Sequence, residues 1–110
     1  MSKREPSVLL DDIRTSIEKI QRYTAGLDEG SFLDDEKTTD AVVRNLEIIG
    51  EAAKQLPAEF KKRHSAIPWL QIAGLHNRIV HDYAGIDLKL VWNILQTAIP
   101  KLARQIAELK

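Results

Sequence analysis

Apolar residues recur every three to four positions along most of the chain, the spacing of one face of an α-helix. The first predicted helix opens near Pro6–Ser7. Its apolar stripe comprises Leu9, Ile13, Ile17, Ile20 and Leu27. The second predicted helix opens near Asp34 or Asp35 and is stopped by Pro57. Its stripe comprises Val42, Leu46, Ile49, Ala53 and Leu56. Two long amphipathic helices are therefore expected in the first half of the chain.

The second half of the chain predicts three more helices. A short third helix has Pro57 in its first turn. The fourth runs from Ser65–Pro68 to a stop at Ala84–Ile86, with a stripe of Trp69, Ile72, Leu75 and Ile79. Asp87 is a suitable N-cap for a fifth helix, which Pro100 should bend because its ring clashes with the carbonyl four residues earlier. The stripe of this helix comprises Leu88, Val91, Leu95, Ile99, Leu102, Ile106 and Leu109. No segment alternates with a period of two, so the prediction is an all-α antiparallel bundle of four or five helices.

Length and composition narrow the class of protein. With 110 residues, the chain is expected to form a single domain spanning residues 1–110. It contains no cysteine, which excludes a disulfide framework and a thiolate metal site. No stretch approaches the roughly 18 apolar residues of a membrane span, and no apolar run follows Met1, so we expect a soluble cytoplasmic protein.

The charge balance bears on possible nucleic-acid partners. Sixteen basic residues offset sixteen acidic ones, which argues against a protein that holds nucleic acid mainly through a strong basic field. A protein of this charge that acts on RNA would need a local basic site or a partner. The run Lys61–His64 could supply such a site, although a run of this kind is also typical of ordinary solvated surface.

A dense polar cluster lies within the predicted fourth helix and comprises His76, Asn77, Arg78, His81 and Tyr83. At about 100° per residue, Asn77, Arg78 and His81 share one helical face, so Arg78 and His81 could converge on one anionic group. His76 falls at the edge of the apolar face, nearly in line with Tyr83. Arginine offers a fixed fork to phosphate oxygens, and histidine exchanges a proton near neutral pH. The cluster therefore suggests phosphodiester chemistry.

Each residue of this cluster also has a purely structural interpretation. Arg78 could interact with the helix dipole, and His81 could be an ordinary surface histidine. Tyr83 could be a core aromatic residue with its hydroxyl at the rim, and His76 could simply be packed. A metal site is disfavoured because His76 and His81 are five residues apart rather than four and lack the glutamate of a helical zinc site. With no nucleophile elbow and no glycine-rich phosphate loop, we expect general acid–base chemistry without a metal or other cofactor.

Two segments, Arg78–Asp87 and Val43–Ala52, resemble the HepT-like branch of the HEPN superfamily, and Val91–Trp92 and the apolar tail fit as well. The resemblance therefore covers almost the entire chain. It implies an all-helical toxin encoded beside a small nucleotidyltransferase antitoxin of the MNT (MntA-like) type. The family motif is an arginine, four to six residues, a histidine, one residue and a tyrosine. His81 and Tyr83 match it, but position 76 has histidine where the four-residue spacing requires arginine. Arg78 lies too close to His81 to satisfy the motif.

The resemblance implies a metal-independent endoribonuclease that cleaves RNA, with tRNA as one candidate substrate, by attack of the ribose 2′-hydroxyl on the adjacent phosphate. On this basis His81 is assigned the acid–base role. Arg78, or protonated His76, would stabilise the charged phosphorus intermediate, and Asn77 would orient the phosphate. Because histidine can be neutral at pH 7 and arginine cannot, His76 should weaken the site.

The resemblance also implies partners and regulation. Family members act as homodimers whose motif helices face each other across a shared cleft. The small residues around Gly50–Ala52 would let another helix approach closely, either in a second copy or within the same chain. In HepT-like toxins the tyrosine at the position of Tyr83 accepts AMP from the antitoxin. Two alternatives stay open: a non-catalytic HEPN module that binds a nucleotidyltransferase, and a plain helical dimerisation domain.

Overall fold

Helices account for most of the computed structural model, which describes residues 4–81 and 85–109. In chain order the helices are α1 Pro6–Thr24, α2 Glu29–Asp34, α3 Glu36–Gln55, α4 Ala58–Arg63, α5 Trp69–Ala73, α6 Leu75–Ile79, α7 Leu88–Gln96 and α8 Ala98–Ala107. Between α6 and α7, strand β1 Val80–His81 pairs antiparallel with β2 Gly85–Ile86. The all-α prediction is confirmed, with this two-residue pairing as a local addition.

The two longest helices, α1 and α3, form the frame of the molecule and pack along each other. Leu9 and Asp12, near the start of α1, line the same cavity as Ala52 and Lys54, near the end of α3, so the two helices are antiparallel. The predicted stripes of both helices are buried, except that Leu27 lies beyond the end of α1. The core between them and the later helices includes the fully buried residues Ile13, Phe32, Val42, Leu46, Ile49, Ile79 and Val91.

Two aspartates cap the helices in the first half of the chain. Asp28 accepts a hydrogen bond from the Ser31 backbone N–H at 2.8 Å, and this bond lowers the pKa of the Asp28 carboxyl. Asp35 accepts from the Thr38 hydroxyl at 2.7 Å and from its backbone N–H at 3.1 Å, and these two bonds lower the pKa of the Asp35 carboxyl. The predicted start of the second long helix is therefore confirmed, with Asp35 as its N-cap.

The predicted fourth helix is interrupted, which corrects the sequence interpretation. It consists of α5 and α6, separated at Gly74, and it ends at Ile79 rather than at Ala84–Ile86. Glycine is a poor helix former. At Gly74 the backbone N–H still donates to the Leu70 carbonyl at 3.1 Å, and the Gly74 carbonyl accepts from the backbone N–H of Arg78. The apolar stripe stays continuous across the break because Ile72, on α5, is buried like Leu75 and Ile79 on α6.

The predicted fifth helix is likewise divided, into α7 and α8, at Thr97. Pro100 lies in the first turn of α8, where its missing N–H costs little, and the helix is interrupted three residues before it at Thr97, whose φ of −120° and ψ of −68° are not helical. The Thr97 hydroxyl donates to the Asn93 carbonyl at 2.8 Å and closes the end of α7. At the start of α7, Asp87 accepts from the Leu90 N–H at 3.0 Å, which confirms the predicted cap. None of the described helices is long and apolar enough to cross a membrane.

Candidate functional site

His76 lies on α6 and contacts α3 through an ion pair. Its Nδ1 is 2.9 Å from Oε2 of Glu47, a contact that is an ion pair when the imidazole is protonated. The His76 side chain is 52% exposed and that of Glu47 is 34% exposed, so the pair lies at the surface with one side covered. The other carboxylate oxygen of Glu47 lies 3.9 Å from Nη1 of Arg44. His76, which the sequence placed at the edge of the apolar face, therefore makes a polar contact and is not packed in the core.

The ion pair lies on an open cavity of about 420 Å³ between the start of α1, the second half of α3 and the start of α6. Charged and polar side chains dominate its wall: Arg4, Asp12, Arg44, Glu47, Glu51, Lys54, Gln55, His76 and Asn77. Asn77 thus lies on the same cavity as His76. Within residues 4–81 and 85–109, no group of three or more histidine, aspartate or glutamate residues is placed to hold a metal ion.

Arg78 lies elsewhere, on a second cavity of about 190 Å³ against α8. Its floor is apolar, with Leu75 and Leu102, and Lys101 is a second cation on its wall. The prediction that Asn77 and Arg78 share one face is wrong, because a step of one residue turns the helix by about 100° and the two side chains line different cavities. The structure therefore brings His76 and Asn77 together and separates Arg78 from both.

The helical placement of His81 is also wrong. Because α6 ends at Ile79, the backbone of His81 belongs to β1 and is paired with Gly85 of β2. Gly85 has φ +84°, a conformation that a side chain disfavours, and this permits the chain to turn back. The predicted role of the His81 side chain and that of Tyr83 concern atoms outside the described part of the structure. The assignments of all five site residues stay predictions.

Gly50 explains how α3 and the α5–α6 segment come close enough for the ion pair. A Cβ atom at Gly50 would lie 3.2 Å from the Ile72 carbonyl oxygen and 3.4 Å from that of Ala73. The small-residue position on α3 is therefore used for packing within the chain, which is one of the two interpretations that the sequence left open. This close approach places α6 beside α3 immediately after Gly74.

Replacing Gly50 by leucine should separate α3 from α5. The added side chain meets backbone oxygens, which cannot rotate away, so we expect a loss of about 1–3 kcal/mol in the free energy of unfolding. The same change at Gly30, where the nearest atom to a Cβ is the Asp28 carboxylate at 3.8 Å, is the matched control and should cost little. Urea unfolding of both variants measures the difference. Equal losses at the two positions would contradict close packing at Gly50.

Glu47 is the residue of this site that the sequence interpretation missed. It lies within the second helix, whose apolar stripe was recognised, but as one of many surface carboxylates it carries no distinguishing pattern. The available signal was its place in the Val43–Ala52 segment, which carried the family resemblance. Its pairing with His76 depends on how α3 and α6 are rotated relative to each other, and this is set by tertiary packing.

Sequence comparison identifies proteins that are related to this chain. The sequence model described as "HepT-like: Ribonuclease HepT-like" matches residues 13–109. The chain belongs to the HepT-like ribonuclease family. It is 39% identical over 108 residues to "Probable ribonuclease HepT" of Thermococcus cleftensis, an alignment that covers 98% of each chain. No solved structure is significantly similar to it.

Two other relatives of this HepT-like chain have comparable length. "Putative RNase TTE0752" of Caldanaerobacter subterraneus is 37% identical over 106 residues, covering 96% of this chain and 95% of the relative. "Putative RNase MJ1380" of Methanocaldococcus jannaschii is 35% identical over 106 residues, covering 96% and 97%. The matched region contains Glu47, His76 and Asn77 and most of the other residues that line their cavity.

Proposed function

We propose that this HepT-like chain is a metal-independent endoribonuclease and the toxin of a pair with an MNT-type nucleotidyltransferase antitoxin. The observation that carries the proposal is the family match over residues 13–109, together with relatives that are named as ribonucleases. The cavity that contains His76 and Asn77 supports it, because it places an imidazole and an amide side by side on an open surface that a phosphodiester could reach.

The proposed reaction is a transesterification within RNA. A base removes the proton of a ribose 2′-hydroxyl, and the oxygen attacks the adjacent phosphorus. The bond to the 5′-oxygen breaks, and an acid returns a proton to that leaving oxygen. His81 is the proposed acid–base residue, and Asn77 orients the phosphate. Protonated His76, on the same cavity as Asn77, supplies positive charge to the phosphorane. Arg78 faces the other cavity, so its contribution to the same phosphate requires a second copy of the chain or a rearrangement.

His76 should make this ribonuclease weaker than a family member with arginine at that position. An imidazolium offers two N–H donors where a guanidinium offers five in a fixed fork. One of the two ring nitrogens already lies 2.9 Å from the Glu47 carboxylate, which leaves the other as the donor for substrate. We therefore propose an attenuated toxin.

Assembly and regulation complete the proposal. We propose a homodimer in which two copies of the motif segment share one cleft. The side chain of Leu70, 89% exposed on α5, supports a further protein contact beside that segment. Transfer of AMP from the antitoxin to Tyr83 would add an anion where the RNA phosphate binds and so block cleavage.

A non-catalytic HEPN module that binds the nucleotidyltransferase is the second candidate. The observation that favours it is the Glu47–His76 pair, since a carboxylate at 2.9 Å offsets the charge that an imidazolium would present to RNA. In that case the cavity would serve recognition of the partner rather than cleavage.

Cleavage of RNA in EDTA by the purified chain and by His76→Arg distinguishes these proposals. We expect slow cleavage by the unchanged chain and an increase of about tenfold or more with arginine, since a single well-placed donor is worth at least that factor. Circular dichroism confirms that the helices of both proteins are intact. Cleavage without an increase would contradict attenuation. No cleavage by either protein would support the binding module.

A further inference from the structure

We infer that Glu47 is a positioning residue, which holds the His76 ring so that its second nitrogen, Nε2, is presented to a phosphate in the cavity that both side chains line. This inference rests on the proposed function, because it assigns the cavity to RNA. It adds a residue on a different helix, α3, to the machinery that the motif segment provides. Glu47 acts through His76 and does not itself contact the substrate.

The geometry of the ring carries the inference. Nδ1 of His76 lies 2.9 Å from Oε2 of Glu47, and this contact restricts the rotation of an imidazole at a half-exposed site. Nε2 lies on the opposite edge of the ring and has no hydrogen-bond partner within the described part of the chain. Since the side chain lines the cavity, Nε2 is the ring nitrogen left for a ligand. A carboxylate that bonds to one nitrogen of histidine and thereby determines what the other nitrogen does is a general arrangement.

The surrounding charges are compatible with a phosphate at this position. From α3, Arg44, Glu51 and Lys54 line the cavity, and from the start of the chain Arg4 and Asp12 do so. Arg4 and Asp12 are paired with each other at 2.7 Å. Arg44 is paired with Glu47, so Lys54 is the cation on this wall without an ion-pair partner among the described residues, and it can balance Glu51 and an incoming phosphate. Glu47 is itself engaged by His76 and Arg44, which reduces the repulsion that a bare carboxylate would exert on RNA.

The packing of α3 against α5 brings Glu47 and His76 together before any ligand binds. Gly50 lies one turn along α3 from Glu47, and its close contact with the Ile72 carbonyl holds α3 against the segment that carries His76. Glu47 can therefore reach across the helix interface with a short side chain. The His76 ring is thus preorganised, and less conformational entropy is lost when its Nε2 binds a phosphate oxygen.

The first test measures the ring without relying on activity. Nitrogen-15 NMR of His76 in the full chain should show a proton on Nδ1 in the unchanged protein and in Glu47→Gln, whose amide oxygen still accepts a hydrogen bond. Glu47→Ala should lose that signature. Addition of a 2′-O-methyl RNA oligonucleotide, which cannot be cleaved by 2′-hydroxyl attack, should shift the Nε2 signal. An unchanged Nδ1 signal in Glu47→Ala, or no shift at Nε2 on addition of the oligonucleotide, would overturn the inference.

The second test is a double-mutant cycle on RNA cleavage and on binding of the same oligonucleotide. Glu47→Ala should weaken both by about threefold to tenfold, as expected for a partly exposed charged hydrogen bond, and Glu47→Gln should restore most of the loss. In a His76→Ala background Glu47→Ala should have no further effect. Glu18→Ala, which removes a carboxylate paired with Arg22 on α1, is the remote control and should match the unchanged protein.

The outcomes separate this inference from the proposed function. Equal losses from Glu47→Ala with and without His76 would show a merely structural role and contradict the inference. Absence of cleavage, together with a Glu47–His76 coupling in oligonucleotide binding, would contradict the ribonuclease proposal and leave the positioning role intact.

Discussion

Replacing Phe32 by alanine should lower the free energy of unfolding by about 3–5 kcal/mol, the range for loss of a fully buried aromatic ring. Phe32 is completely buried, and its ring lies 5.2 Å from that of Trp92 on α7, with a tilt of 37° between the planes. It is the buried residue of α2, a six-residue helix that packs on α3 and α7. Because a domain of this size has a total stability of about 5–15 kcal/mol, the loss is a large part of it.

Leu33→Ala is the matched control for this prediction. Leu33 follows Phe32 on the same helix but is only half buried. Both variants change helix propensity by similar small amounts. We expect a loss of roughly 1 kcal/mol for Leu33→Ala. Urea unfolding followed by circular dichroism gives both values. Similar losses for the two variants would show that the Phe32 ring does not anchor α2.

His81→Ala should reduce RNA cleavage by about 10²–10⁴-fold, the usual contribution of a general acid–base residue. The backbone of His81 is held in the β1–β2 pairing, so removal of the side chain should leave the fold intact. The rate of cleavage of a labelled RNA, with equal unfolding midpoints for both proteins, measures this effect.

His64→Ala is the control for the loss of a histidine elsewhere. His64 lies beyond α4 with its ring 4.6 Å from that of Phe60 and does not line the cavity that contains His76. Cleavage by His64→Ala should stay within about twofold of the unchanged rate, a difference smaller than a single weak hydrogen bond produces. A comparable loss in both histidine variants would indicate general destabilisation and not catalysis by His81.

The long helices were predictable because their burial is one-sided and periodic. In α1 and α3 nearly every apolar residue of the stripe is in the core, so hydrophobic spacing alone determines the elements. The short helix α2 was missed because Phe32 is the one fully buried residue among its six positions, and a single buried residue has no period. The breaks at Gly74 and Thr97 were missed because the stripe continues through both of them.

The site was harder to predict because it depends on contacts between distant residues. The sequence identified His76 and Asn77 as polar residues in an apolar helix, and the structure places them on one cavity. The sequence could not indicate Glu47, which is 29 positions from His76, since no local rule relates α3 to α6. It also assigned His81 to a helix, because a two-residue strand leaves no alternating pattern and its pairing with Gly85 is determined by tertiary structure.

The most direct test of the central claim is the chemistry of the RNA ends that the purified chain produces in EDTA. We expect products with 2′,3′-cyclic phosphate and 5′-hydroxyl ends, because the ribose 2′-oxygen is the proposed nucleophile and no metal takes part in the proposed reaction. Mass spectrometry of a cleaved oligonucleotide identifies these ends. Products with 3′-hydroxyl and 5′-phosphate ends, or cleavage that requires an added divalent cation, would contradict a metal-independent 2′-hydroxyl attack.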